Sequence, residues 1–309
     1  MHPEAESRFR KYQHTPFLKG VIISFRIASR ILPLWFMKTS AIFIIPVFIV
    51  FNYKNFKNVI KNISHIKPSC GKMRKMISAY MVFLNYSFYL IDLFFLSHGQ
   101  KRIDNYHIEV KGEEYLKKII SSNSGFILLT LHMGNWEISG AILSARGITP
   151  YIVYSPDSEN IIESNRSLLR RLFNIKDISL NMNKVNLFSI KLLNILREGG
   201  AVAFQGDRLL GDSGIEVDFF DRSAVFPRGP VILSIVSEAP ILPVFCVMKG
   251  YTSYEVYIEK PYHVSMYPSR EETIKKSLED IVRIFEKYIS LYYEQWYNFM
   301  PFWKDDKRG

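Results

Sequence analysis

The chain has 309 residues, of which 48% are hydrophobic, 22% charged and an unusually high 15% aromatic, which excludes a disordered chain and supplies one large domain or one domain with a helical appendage. Its two cysteines, Cys70 and Cys246, exclude a disulfide scaffold and a cysteine-rich zinc site; a reducing compartment and no metal are expected. The formal net charge of +11 is lodged in one segment, because residues 1–125 hold 19 Lys/Arg against 7 Asp/Glu and residues 126–309 hold 21 against 22.

No acidic residue occurs between Glu6 and Asp92, while 14 basic ones run from Arg8 to Lys75. A basic segment this apolar suits an anionic membrane surface better than a nucleic acid, and no nucleic-acid partner is expected. Residues 31–51, ILPLWFMKTSAIFIIPVFIVF, are long enough to cross a bilayer, but Lys38 interrupts them and Pro46 would kink a helix. Basic residues flank both sides, so no orientation follows. The reading preferred here is an in-plane or shallowly inserted helix whose basic residues snorkel to headgroups; the alternative is an ordinary buried helix. The aromatic-rich stretch 76–96 reads as a helix packed on the following domain, or as part of the lining of an apolar-chain pocket. Residues 1–100 are therefore taken as a membrane-associating helical region and 101–309 as an α/β domain.

From Gly125 short apolar runs alternate with amphipathic segments. Strands are expected at 126–131, 149–155, 178–181, 201–207, 215–220, 240–248 and 253–259. Helices are expected near 134–146 (closed by Gly147), at 159–173, from Val185 to the glycines at 199–200, at 230–239 and at 271–293. This alternation implies an α/β fold, a mixed or largely parallel sheet flanked by helices. Ligands in such sheets favour the loops beyond the carboxyl ends of strands, which directs attention to the residues after 131 and 206.

Beyond the strand FILLTL lies His132-Met133-Gly134-Asn135-Trp136-Glu137. If the Gly-Asn turn leads into a helix, Glu137 meets one imidazole nitrogen of His132, and the other nitrogen is left as a general base. By spacing alone, a surface His-Glu pair reads equally well. Gly206-Asp207-Arg208 follows the strand AVAFQ. Arg208 suits an oxyanion or a phosphate, with Asp207 holding it in place, or the two form an exposed ion pair. Arg222 and Arg228 bracket a helix start in FFDRSAVFPRGP (219–230), an anion site or a simple turn. Gly211-Asp212-Ser213-Gly214 is read as turn chemistry rather than a protease nucleophile. No G-x-S-x-G, P-loop or G-x-G-x-x-G occurs, which disfavours serine hydrolases, P-loop enzymes and dinucleotide enzymes.

HMGNWE, GDR, FFDRSAVFPRGP and the tail YEQWYNFMPFWK (293–304), in that order and at those separations, resemble the late acyltransferases of lipid A biosynthesis, the lauroyl and myristoyl transferase branch of the lysophospholipid acyltransferase superfamily. NVIKNI (58–63) also suits that family's N-terminal part. One departure is Asp221, where the family usually has Gly after the Phe pair; it bears on the local turn and on acceptor fit.

The resemblance implies a glycerol-3-phosphate acyltransferase-like fold and O-acyl transfer to a hydroxyl of a lipid A precursor or related glycolipid. The donor would be an acyl thioester of acyl carrier protein or coenzyme A, with no other cofactor. It implies His132 as base, Glu137 as its orienting acid, and oxyanion or substrate-binding residues among Gly134, Asn135, Gly206, Asp207, Arg208, Arg222 and Arg228. It also implies the cytoplasmic face of a bacterial inner membrane, reached peripherally or through a single N-terminal anchor. The same chemistry on a phospholipid, mannolipid or aminolipid is the alternative, and a non-enzymatic basic membrane-binding protein is the rival from another class.

Overall fold

A computed structural model describes residues 16–154, 161–179, 185–209 and 214–307. Four helices come first: α1 (Pro16–Ile31), α2 (Leu34–Phe51), α3 (Tyr53–Ile66) and α4 (Lys72–Leu96). Then come β1 (His107–Lys111), α5 (Glu113–Ser121), β2 (Phe126–Thr130), α6 (Trp136–Ala145), β3 (Pro150–Tyr154), α7 (Ile161–Leu172) and β4 (Lys176–Ser179). They are followed by α8 (Val185–Arg197), β5 (Ala201–Gln205), the hairpin β6 (Gly214–Asp218) and β7 (Ser223–Pro227), α9 (Gly229–Ser237), β8 (Ile241–Met248), β9 (Ser253–Ile258) and α10 (Arg270–Tyr292).

Seven strands form one mixed sheet in the order β1-β9-β8-β2-β5-β3-β4. Its centre is parallel, and the single antiparallel pairing, β8 with β9, turns β9 and β1 against the rest. This is the α/β arrangement expected from the alternation of runs. The period of two divides the core: Phe126 and Leu128 join an apolar cluster with α2–α7, while Ile127 and Leu129 join another with α8–α10 and the β6–β7 hairpin. Leu34, Met37, Ala41 and Ile45 belong to the first cluster, so the N-terminal helices share a core with the sheet.

Three expectations need correction. The strand expected at 201–207 stops at Gln205, because the chain turns at Gly206-Asp207. β1, α5 and β7 were not expected: β1 is a five-residue edge strand with no buried position, and β7 lies in a stretch rich in turn formers. Lys38 does not snorkel. It is fully buried, 2.8 Å from Asp92 on α4, and donates to the Tyr251 carbonyl; Tyr106 and Tyr254 donate to the same carboxylate. Parts of the expected strands at 149–155 and 178–181, the start of the helix from 159, and Gly211-Asp212-Ser213 lie outside the described residues.

Candidate active site

The β2–β5 register aligns Thr130 with Gln205, so the residues two positions beyond each strand, His132 and Asp207, emerge side by side at the carboxyl edge of the sheet. The Gly206 amide prolongs the pairing by donating to the Thr130 carbonyl at 2.7 Å. His132 Nδ1 then lies 2.7 Å from Asp207 Oδ1, and the His132 amide reaches both carboxylate oxygens at 3.2 Å. The Trp296 indole N–H donates to Asp207 Oδ2 at 2.9 Å.

The loop after His132 is fixed by its backbone. Gly134 has φ of +56°, and a Cβ there would fall 1.8 Å from the Cys246 carbonyl oxygen, so only glycine fits. The Asn135 amide donates to that same carbonyl at 3.0 Å, and its Oδ1 caps α6 by accepting from the Ile138 amide. The tail after α10 closes the other side. Gln295 accepts from the Gly134 amide through its carbonyl, and its side chain pairs with both the amide and the carbonyl of Met248. The Tyr297 amide donates to the His132 carbonyl at 2.8 Å, while the Tyr297 carbonyl accepts from Arg208 Nη2 at 2.7 Å.

Burial opposes ionisation of Asp207, but His132, Arg208 and the Trp296 hydrogen bond outweigh it and hold the carboxyl down to about 2. The ionised carboxylate only accepts, so the proton of the pair resides on Nδ1. Burial and then the Arg208 guanidinium lower His132 to about 4, against the raising effect of Asp207. The neutral ring leaves the Nε2 lone pair without a hydrogen-bond partner among the described residues, and the side chain keeps 15% exposure. A base of this kind can take a proton from an incoming hydroxyl.

Glu137 is turned elsewhere. Its carboxylate receives Arg170 Nη2 at 2.7 Å and Arg170 Nε at 3.1 Å in a fork, together with the Trp136 indole N–H at 3.2 Å. Arg170 also reaches Asp177 and Glu163, so Glu137 ties α6 to α7 and β4, and the contact to the His132 ring expected of it is made by Asp207. Asp207 in turn faces His132 rather than serving chiefly as a holder of Arg208. The amides of Gly134 and Gly206, expected to be oxyanion donors, are spent on backbone carbonyls, and Asn135 is a buried helix cap. Arg208 lies close enough to influence both members of the pair. Arg222, in the β6–β7 turn, and Arg228, before α9, are exposed, and neither hydrogen-bonds His132 or Asp207. Sequence reasoning placed Trp296 in a tail motif but gave it no role; its contact to Asp207 crosses 89 residues.

A family profile described as bacterial lipid A biosynthesis acyltransferase matches residues 17–305. Phosphatidylinositol mannoside acyltransferase of Mycobacterium tuberculosis (strain CDC 1551 / Oshkosh) is 24% identical over 207 residues, covering 64% of this chain and 60% of that protein. The protein of the same description from Mycolicibacterium smegmatis is 23% identical over 209 residues, covering 64% and 63%. These alignments thus span less than two thirds of the curated relatives' length. The crystal structure of the 1-acyl-sn-glycerophosphate acyltransferase of Thermotoga maritima aligns over 82% of this chain and 97% of that one, at 14% identity and a TM-score of 0.36.

Proposed function

We propose, from the premise that this chain belongs to the bacterial lipid A biosynthesis acyltransferase family, that it transfers a fatty acyl group from a thioester to a hydroxyl of a membrane glycolipid. The observation that carries this reading is the His132–Asp207 pair, with Nδ1 held at 2.7 Å and Nε2 left open. No protein nucleophile is needed in such a step. The acceptor hydroxyl gives its proton to Nε2, and its oxygen bonds to the thioester carbonyl carbon. The tetrahedral intermediate then expels the thiolate, which takes the proton back from Nε2, leaving an ester and a free thiol. Asp207 fixes the tautomer and stabilises the transient imidazolium, and a positioned base of this kind contributes about 10²–10⁴ in rate. With the Gly134 and Gly206 amides occupied, Arg208 is the charged donor of the expected set that stands beside the pair, suited to the oxyanion or to an acceptor phosphate.

The acceptor is a lipid A precursor on the family description, and a mannolipid on the description of the curated relatives. The thioester is carried by acyl carrier protein or coenzyme A, with no further cofactor. The work is done at a membrane surface, on the cytoplasmic side of the inner membrane. Supporting the membrane part, the charge of α2 is turned inward at Lys38, while Trp35, Phe43, Val47, Val50 and Phe51 on its outer side are apolar and exposed.

Mass spectrometry of lipids from cells lacking the protein should reveal one species short of an acyl chain, restored by the wild type and not by His132→Ala. The mass of that species assigns the acceptor. An unchanged lipid profile, or rescue by His132→Ala, overturns the proposal.

A further inference from the structure

Four cationic or titratable side chains meet where α1 ends beside the turn after α4. His98 Nε2 lies 2.8 Å from Ser29 Oγ, which itself donates to the Arg26 carbonyl. Arg102 donates from Nη1 to the Ser29 carbonyl at 2.9 Å and stacks on Phe95 with its guanidinium carbon 4.5 Å from the ring centroid. Arg26 and Arg30 stand one turn apart on α1, and neither side chain has an ion-pair or hydrogen-bond partner among the described residues. Burial first, and then the charges of Arg102, Arg30 and Arg26, lower the His98 pKa, against the raising effect of a hydrogen bond to the Arg26 carbonyl. Among the described residues, three guanidinium groups thus crowd one imidazole with no acid to balance them, an arrangement that costs energy until an anion arrives.

A second observation says which anion. Ile23, Ile27 and Ile31, spaced four apart on the same helix, are all exposed, and the row continues into exposed Leu32, Trp35 and Phe36. One residue of displacement sets this row about 100° around the helix from Arg26 and Arg30. A soluble anion has no use for the apolar row. A phospholipid uses both.

We propose that Arg26, Arg30, His98 and Arg102 form a binding site for the phosphate of an anionic phospholipid whose acyl chains lie along Ile23, Ile27 and Ile31. The inference rests on the membrane-surface reading and adds to it a particular lipid contact, distinct from the acceptor's place at His132. The same turn is joined to α7 through Ser97 and Asn165 at 3.4 Å, and Arg166 of α7 lies over Trp136, whose ring packs against His132. A lipid held here would therefore set the height of the catalytic edge at the headgroup plane.

Flotation of the full chain with phosphatidylglycerol or phosphatidylcholine vesicles tests this. At about fivefold per basic side chain near an anionic surface, Arg26→Gln/Arg30→Gln should weaken binding to phosphatidylglycerol about 30-fold. Arg26→Lys/Arg30→Lys keeps the charge, loses the planar fork, and should still weaken it severalfold. Lys54→Gln/Lys57→Gln, an equal charge loss on exposed positions of α3, should weaken it less than the arginine-to-glutamine pair. Lysine variants that bind like wild type, or α3 variants as weak as the arginine-to-glutamine pair, overturn the site and leave the membrane reading intact. Release of the wild type by inorganic phosphate at constant ionic strength overturns the lipid assignment in favour of a free anion. Wild type that floats with neither vesicle overturns the membrane reading as well.

Discussion

Asp207 collects the His132 ring N–H, the His132 amide and the Trp296 indole N–H, whereas Glu137 collects both arms of Arg170, so the two carboxylates are bound to different tasks. Asp207→Asn keeps the volume but loses the charge that fixes the Nδ1–H tautomer. It should lower kcat by about 10²–10⁴, a far larger effect than the modest fall in Tm expected from weakened bonds to the Trp296 indole and the His132 amide. Glu137→Gln breaks a buried charged pair and should instead lower Tm, at a cost of about 3–5 kcal/mol. A Glu137→Gln enzyme with wild-type Tm and no turnover, beside an active Asp207→Asn enzyme, would reverse these assignments. The pH profile separates them further. The base must be neutral, and a pKa lowered to about 4 keeps it neutral as pH falls past the ordinary imidazole value of about 6.5. Hence kcat/KM should stay level between pH 7 and 5 and fall only on approach to 4; an acid limb centred near 6.5 would refute the assignment. His132 and Asp207 were both legible as residues just past strand ends. Their pairing was not, because it depends on a register between strands 75 residues apart, while the local spacing to Glu137 offered a nearer carboxylate.

At the level of elements, the attachment of α2 to the rest of the fold passes through Lys38. Leu34, Met37, Lys38, Ala41 and Ile45 form the stripe that faces inward, and Lys38 ends in the cage of Asp92, Tyr106, Tyr254 and the Tyr251 carbonyl. Lys38→Met leaves Asp92 buried without its counter-charge and should cost about 3–5 kcal/mol. Lys38→Met/Asp92→Leu removes both charges and should recover a large part of that loss. Urea unfolding of the two single variants and the double variant gives the coupling; additive losses would mean that the pair does not hold the helix. The long, strongly periodic elements were legible because their burial follows their hydrophobic pattern. Lys38 was misread because a lone lysine in an apolar helix has the same sequence signature whether it reaches for lipid phosphate or for an aspartate 54 residues away. The hairpin turn at Phe219–Arg222 shows the same limit: Phe220 and Asp221 both have positive φ, so Asp221 holds the position that the family's glycine would occupy more cheaply.

Over the whole molecule, charge and apolar exposure coincide at one end. The acid-free segment between Glu6 and Asp92 spans all of α1–α3 and most of α4, and the outer faces of α1 and α2 carry the longest rows of exposed large apolar side chains. Composition made this end legible. It did not reveal that the inner face of the same helices is part of the core shared with the sheet, and that limits how the proposed membrane attachment is tested. Removing residues 1–53 would strip Leu34, Met37, Ala41 and Ile45 from the core along with the exposed apolar side chains, so loss of binding would be confounded with loss of fold. Trp35→Gln/Phe43→Gln/Val47→Gln changes the outer face alone. Burying a large apolar side chain is worth about 1.5–3 kcal/mol, so the triple variant should lose more than 100-fold in affinity for vesicles while its Tm stays within a few degrees of wild type. Turnover of a lipid acceptor in vesicles should fall with it, and turnover of the same acceptor dispersed in detergent should not. If the triple variant sediments with vesicles like wild type, this face does not meet the membrane, and the acceptor reaches His132 by another side of the molecule.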